Sequence, residues 1–199
     1  MKRLIFIFLL SWAINSSAQT SMRFEWDSLP VFNSIEAAMK QPDKVYRLHL
    51  TKQKLELFPA EILNFPNLIE LRLDKNKVDS IPANISVLTH LEYLDLSHNN
   101  LELVPKSLWN LSNLRYLNLA DNILSDLSPL VAKCARIEEL ILYDNPLEEY
   151  PDQLGDLPVL RVLDLLHNNI SYETQDRLRD LLPNCRVIMS APCSCADGH

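Results

Sequence analysis

Asp121 and Asp144 stand 23 residues apart. Were that interval one turn of a repeating chain, the two carboxylates would lie roughly 5 Å from each other, the spacing of adjacent strands. Such a pair could hold a calcium ion, with Asp95 or Asn118 nearby as further oxygen ligands, or act as the two carboxyl groups of a glycosidase. Either chemistry needs support around it, and none is expected from a histidine or a glycine-rich ligand loop. A solvated carboxylate edge is therefore the expectation. The histidines are His49, His90, His98, His167 and His199; His98 and His167 recur in the same phase but three intervals apart, about 14 Å, too far to share a metal. The chain has two glycines, Gly155 and Gly198, so neither a phosphate-cradling loop nor a nucleophile elbow can be built. H-E-x-x-H does not occur. No enzyme, cofactor or metal site is expected.

Cys193 and Cys195 lie close together near His199. In an oxidising compartment they could pair, bridge to a partner or, with His199, hold a metal. One C-x-C with a single histidine is thin support, and a disordered tail over 191–199 is the expected form of such a terminus. Cys134 and Cys185 replace leucines of the pattern described next and read as core thiols.

The interval of 23 governs the chain. Leu91–Asn113 reads LEYLDLSHNNLELVPKSLWNLSN, and Val45, Leu68, Leu114, Ile137 and Leu160 begin equivalent units. Six units span 45–67, 68–90, 91–113, 114–136, 137–159 and 160–182 without an insertion, the mark of a solenoid. Within a unit the pattern is L-x-x-L-x-L-x-x-N-x-L, and the chain resembles the leucine-rich-repeat family over these 138 of 199 residues. The resemblance implies an α/β solenoid: an arc with a parallel sheet on its concave face, short helices or turns on its convex face, and helical caps at both ends.

The residues support that architecture physically. Leu94 and Leu96 alternate with outward residues as in a half-buried strand. Position 9 holds Asn76, Asn99, Asn122, Asn145 and Asn168, with Gln53 in the first unit. A buried turn leaves backbone groups unpaired, and a primary amide both donates and accepts, so this column is expected to be a structural asparagine ladder. Pro59, Pro82, Pro105 and Pro151 end the strand side of their units, and apolar residues such as Leu108 and Leu111 turn inward behind them.

Met1 to Ala18 has a basic start at Lys2 and Arg3, an apolar run and Ser16-Ser17-Ala18, which reads as a signal peptide cut after Ala18. The run is too short to span a bilayer, and a secreted or periplasmic location is expected. Loss of Lys2 and Arg3 leaves 17 basic against 26 acidic side chains, a net charge of −9, a poor match to nucleic acid or an anionic membrane. Without an N-terminal cysteine cluster, the chain is more similar to secreted bacterial members of the family than to animal or plant ones. The sequons at Asn84, Asn110 and Asn169 would matter only in a eukaryotic host.

Residues 19–44 are expected to cap the first strand, with a helix announced by Asn33 and Glu36 and an apolar face of Ile35, Ala38 and Met39. Phe24, Trp26 and Phe32 are expected to pack on the first unit. At the far end Ser171 opens a helix to Leu182, supported by Glu173 four residues before Arg177. Residues 182–188 echo 111–117, so 183–190 reads as a short capping strand.

The strand positions that alternate outward carry Tyr93, Tyr116, Ile141, Tyr143, Val162 and Leu166 from the third unit onward, after two charged units. A solvated sheet face needs no such group, and apolar patches rich in tyrosine mark binding sites. The reading is a secreted, non-enzymatic binding protein with a protein partner, or a glycan, on its concave face, monomeric in itself. Loss of binding in a Tyr116→Ala, Tyr143→Ala pair at an almost unchanged thermal midpoint would support it; failing that, Trp109 on the convex side is the next place to look. A structural or self-associating envelope component is the alternative, told apart by sedimentation with and without reductant.

Overall fold

A computed structural model describes residues 25–191. The signal peptide, Phe24, Cys193, Cys195 and His199 lie outside the described residues. Eight strands form one parallel sheet in sequence order: β1 (Val31–Phe32), β2 (Arg47–His49), β3 (Glu70–Arg72), β4 (Tyr93–Asp95), β5 (Tyr116–Asn118), β6 (Glu139–Ile141), β7 (Val162–Leu165) and β8 (Arg186–Met189). From β2 to β7 each residue pairs with its equivalent 23 positions on, as Leu71 with Leu94 and Leu94 with Leu117. The leucine pairs Leu48 and Leu50, Leu94 and Leu96, Leu140 and Leu142 are fully buried, the even strand positions facing one continuous core.

The return segments are 3-10 turns rather than α-helices. In the four units with proline, the proline carbonyl accepts the amide three residues on, as Pro59 from Ile62 and Pro105 from Leu108. Proline's fixed φ thus aims the first carbonyl of the turn. Trp109 lies in the turn Leu108–Asn110 and is fully buried, so the expected alternative site on the convex side is withdrawn. On the flank of the sheet, position 2 alternates in charge: Arg115 stands 3.7 Å from Glu92 and donates to Glu138 at 2.7 Å, and Arg161 reaches Glu138 at 3.3 Å.

The asparagine ladder has the expected bonds. The Asn99 amide donates to Leu73 O and Leu96 O, 3.0 Å each, and its oxygen accepts from Val78 N at 2.9 Å. Gln53 leaves the column and donates to Asn33 O at 2.9 Å, where the ladder meets the cap.

The caps differ in detail from the expectation. Helix α1 (Ile35–Met39) is capped by Ser34, whose hydroxyl accepts from Ala37 N at 3.1 Å; Asn33 is one residue too early. Its buried residue is Ala38, while Met39 is 43% exposed. β1, which the sequence reading did not contain, pairs with β2. Helix α2 (Tyr172–Leu181) is capped by Ser171 as expected. Arg177, however, turns from Glu173 to Asp152 and Tyr150 O, tying α2 to the last turn. β8 sets Val187 opposite Leu163 and Ile188 opposite Asp164, one residue out of the register that the echo of 111–117 implies. Val187 and Met189 thereby meet the core, with half-buried Cys185 beside them.

One column carries a backbone demand. Position 8 is left-handed throughout: Lys52, Lys75, His98, Asp121, Asp144 and His167 have φ between 50° and 59°. Asp121 and Asp144 therefore sit where the chain leaves the strand in a strained conformation that short polar residues tolerate and β-branched ones do not. Lys75 is exposed, so its side chain contributes little besides the backbone. Lys75→Val is expected to lower stability by about 1–2 kcal/mol relative to Lys75→Gly, measured by denaturant unfolding.

Candidate binding surface

The outward strand positions divide into two halves. In the first, Glu70 is completely buried on a face that ought to be wet. Its carboxylate receives Arg72 Nε at 2.6 Å, lies 2.9 Å from His49 Nε2 and pairs with Arg47 Nε. Burial alone would push the Glu70 carboxyl up; the bonds from His49, Arg47 and Arg72 outweigh it and hold it down to about 2. The cover comes from the segment before β1. Arg47 donates to the carbonyls of Asp27 and Leu29, and its guanidinium lies 5.3 Å from the centre of the Trp26 ring.

Trp26 packs on the first unit through Arg47, as expected, and reaches the third as well. Its indole donates to Glu92 at 3.1 Å, and its ring meets Tyr93 edge-on at 6.4 Å. Arg72 lies 4.8 Å over the Tyr93 ring, and Tyr93 stacks on Tyr116 at 4.2 Å and 3°. The first half is thus filled by its own chain, an unbroken lattice of Trp26, Arg47, Glu70, Arg72, Tyr93 and Tyr116. Burial raises both phenols, that of Tyr116 to about 12.

The six expected site residues are therefore split. Tyr93 and Tyr116 belong to the lattice and cover each other. Ile141, Tyr143, Val162 and Leu166 lie half-buried in the second half, where Ile141 on β6 neighbours Asp164 on β7 and Glu139 neighbours Val162. Tyr143 and Leu166 occupy the next outward position along.

Asp121 pairs with His98 Nδ1 across one strand spacing. Asp144 is exposed. Among the described residues no group of three or more His, Cys, Asp or Glu side chains could hold a metal ion, and no helix is long and apolar enough to cross a membrane. Buried Cys134 lies 3.5 Å from the Trp109 carbonyl, and burial pushes its thiol up to about 12, far from a reactive thiolate.

The model of the leucine-rich repeat region matches residues 28–197. The chain belongs to the leucine-rich-repeat family. Among solved structures, a leucine-rich-repeat protein of Leptospira interrogans is 30% identical, with a TM-score of 0.58 over 67% of this chain and 40% of that one. Internalin C2 of Listeria monocytogenes shares the fold at 23% identity, with a TM-score of 0.63 over 76% and 64% of the two chains. A plant peptide hormone receptor in complex with its peptide matches at 28% identity and a TM-score of 0.60, over 71% of this chain and 24% of the receptor. This leucine-rich-repeat chain thus spans less than two thirds of the length of each of these relatives. A comparison with curated proteins found no match.

One feature of the surface escapes a reading by columns. The lattice depends on Trp26, which lies before the first repeat and has no position in the 23-residue frame. The left-handed column was legible in principle: lysine, histidine and aspartate at position 8, never a β-branched residue, is the signal.

Proposed function

We propose that this protein is a secreted, non-enzymatic binding module that receives a protein partner on the concave face of its sheet, over β6 and β7. The leucine-rich-repeat fold commonly serves as a scaffold for protein interactions, and the neighbouring plant receptor holds a peptide hormone. The observation that carries the reading is the contrast between the two halves. The lattice from Trp26 to Tyr116 engages the rings of the first half with one another, while Ile141, Tyr143, Val162 and Leu166 are half-exposed and Tyr143 has no ring contact among the described residues. A site on paired strands is preformed, so little ordering opposes binding. Its location would be extracellular or periplasmic, after cleavage near Ala18.

Tyr116 is unsuited to the test, since its removal also unstacks Tyr93. Tyr143→Ala combined with Leu166→Ala keeps the lattice whole. Partners captured by the wild-type protein are expected to be lost by this variant at a thermal midpoint within about 3 °C of the wild type. Undiminished capture would sink the reading and direct attention to Leu103 and Ile123 on the turn side, 65% and 50% exposed. A dimer that sediments as a monomer only in the variant would make the occupant a second copy.

A further inference from the structure

The open half of the face is apolar at its centre and acidic at its margin, and its acids are not matched as Glu70 is. Glu70 faces Arg47, His49 and Arg72. Asp144 and Asp164 form no ion pair among the described residues; Asp164 accepts only the Leu166 amide, at 3.0 Å. Asp121 has His98. Burial raises the Tyr143 phenol, and four carboxylates, Asp121, Asp164, Asp95 and Asp144, add to it; Arg186, exposed on β8 opposite Val162, is the cation that the register sets at the far edge of the patch. Like charges gathered round one apolar patch cost the free chain stability, and a ligand that neutralises them regains that energy on binding.

The closed half shows what satisfies such a surface. There, guanidinium groups lie over aromatic rings while bonding a carboxylate: Arg72 over Tyr93, Arg47 over Trp26, both on Glu70. Tyr143 beside Asp144 and Asp164 offers the same ring and carboxylates without the arginine. We infer that the face over β6 and β7 takes a cationic amphipathic segment of a partner protein, its apolar side chains on Ile141 and Val162 and an arginine over Tyr143 against Asp144 and Asp164. This rests on the binding reading above and adds the chemistry of the occupant.

The test uses the full chain and three labelled peptides of equal length: alternating leucine and arginine, alternating leucine and glutamate, and alternating serine and arginine. Anisotropy is expected to show the leucine–arginine peptide binding most tightly. Asp144→Asn with Asp164→Asn should weaken it about tenfold at low salt, while Asp43→Asn with Glu61→Gln, exposed carboxylates of the opposite end, should change it less than about twofold. Equal weakening by both pairs would reduce the effect to net charge and overturn the inference. So would tighter binding of the leucine–glutamate peptide, or no binding of the leucine–arginine peptide at about 1 mM. If the acidic peptide binds and Tyr143→Ala with Leu166→Ala abolishes it, the face stands and only the cationic occupant falls. Leucine–arginine binding indifferent to Tyr143→Ala with Leu166→Ala would remove both.

Discussion

Glu70→Ala is expected to destabilise the protein by about 3–5 kcal/mol, lowering its thermal midpoint by on the order of 10 °C. The carboxylate is fully buried, and removing it leaves two guanidinium groups and an imidazole converging on a vacated site. Arg47 and Arg72 would also lose the partner that holds them over Trp26 and Tyr93, so the segment Glu25–Ser28 should loosen with them. The same residue sets an acid limit. Its carboxyl is depressed in the folded state from an ordinary 4.5 to about 2, so the folded state holds fewer protons than the unfolded chain. Its contribution is complete above about pH 5 and fades as the pH falls towards 2; at about 1.4 kcal/mol per pH unit it amounts to roughly 3 kcal/mol. Stability measured from pH 7 to 2 should fall across that window in the wild type and lose much of that slope in Glu70→Gln. An unchanged slope in Glu70→Gln would assign acid sensitivity to other carboxylates.

That glutamate also shows where a reading by columns ends. Alternation along a strand decides which side chains face the leucine core, and it placed Leu94 and Leu96 correctly. It says nothing about what covers the opposite face. Glu70 was legible as outward and charged; its burial depends on Trp26 and the carbonyls of Asp27 and Leu29, contacts across 18 to 66 residues that no period contains. The ladder was legible because one side-chain type recurs wherever one backbone need recurs. β8 was misplaced for the opposite reason. At the last strand the repeat is no longer in phase, and packing of Val187 and Met189 on the core sets the register in place of the echoed letters. The split of the tyrosines has the same origin: Tyr93 and Tyr116 are adjacent, outward and aromatic, and stacking is what such cross-strand neighbours do when nothing separates them.

A central member of the ladder should be as costly to lose as Glu70. The Asn122 amide donates to Leu96 O at 3.1 Å, Leu119 O at 3.0 Å and Ala120 O at 3.2 Å, and its oxygen accepts from Leu101 N at 3.0 Å. Asn122→Ala removes all four of these bonds at once in a buried turn; at about 1–3 kcal/mol for each group left unpaired, a loss of about 4 kcal/mol is expected. Asn122→Asp should be worse at neutral pH. The aspartate keeps the acceptor for Leu101 N but turns a donor towards three carbonyls into a buried negative charge, and it recovers partly in acid as it takes up a proton. The position makes the effect long-ranged. In a solenoid each unit is held only by its neighbours, and Asn122 bonds the strand exits of the third and fourth units to each other, so its loss weakens the interface in the middle of the stack. Hydrogen exchange should then show units on the two sides of Asn122 opening separately in Asn122→Ala, where the wild type opens as one. A single cooperative unfolding in the variant, with a loss under about 1 kcal/mol, would mean that the leucine core and not the amide column couples the repeats.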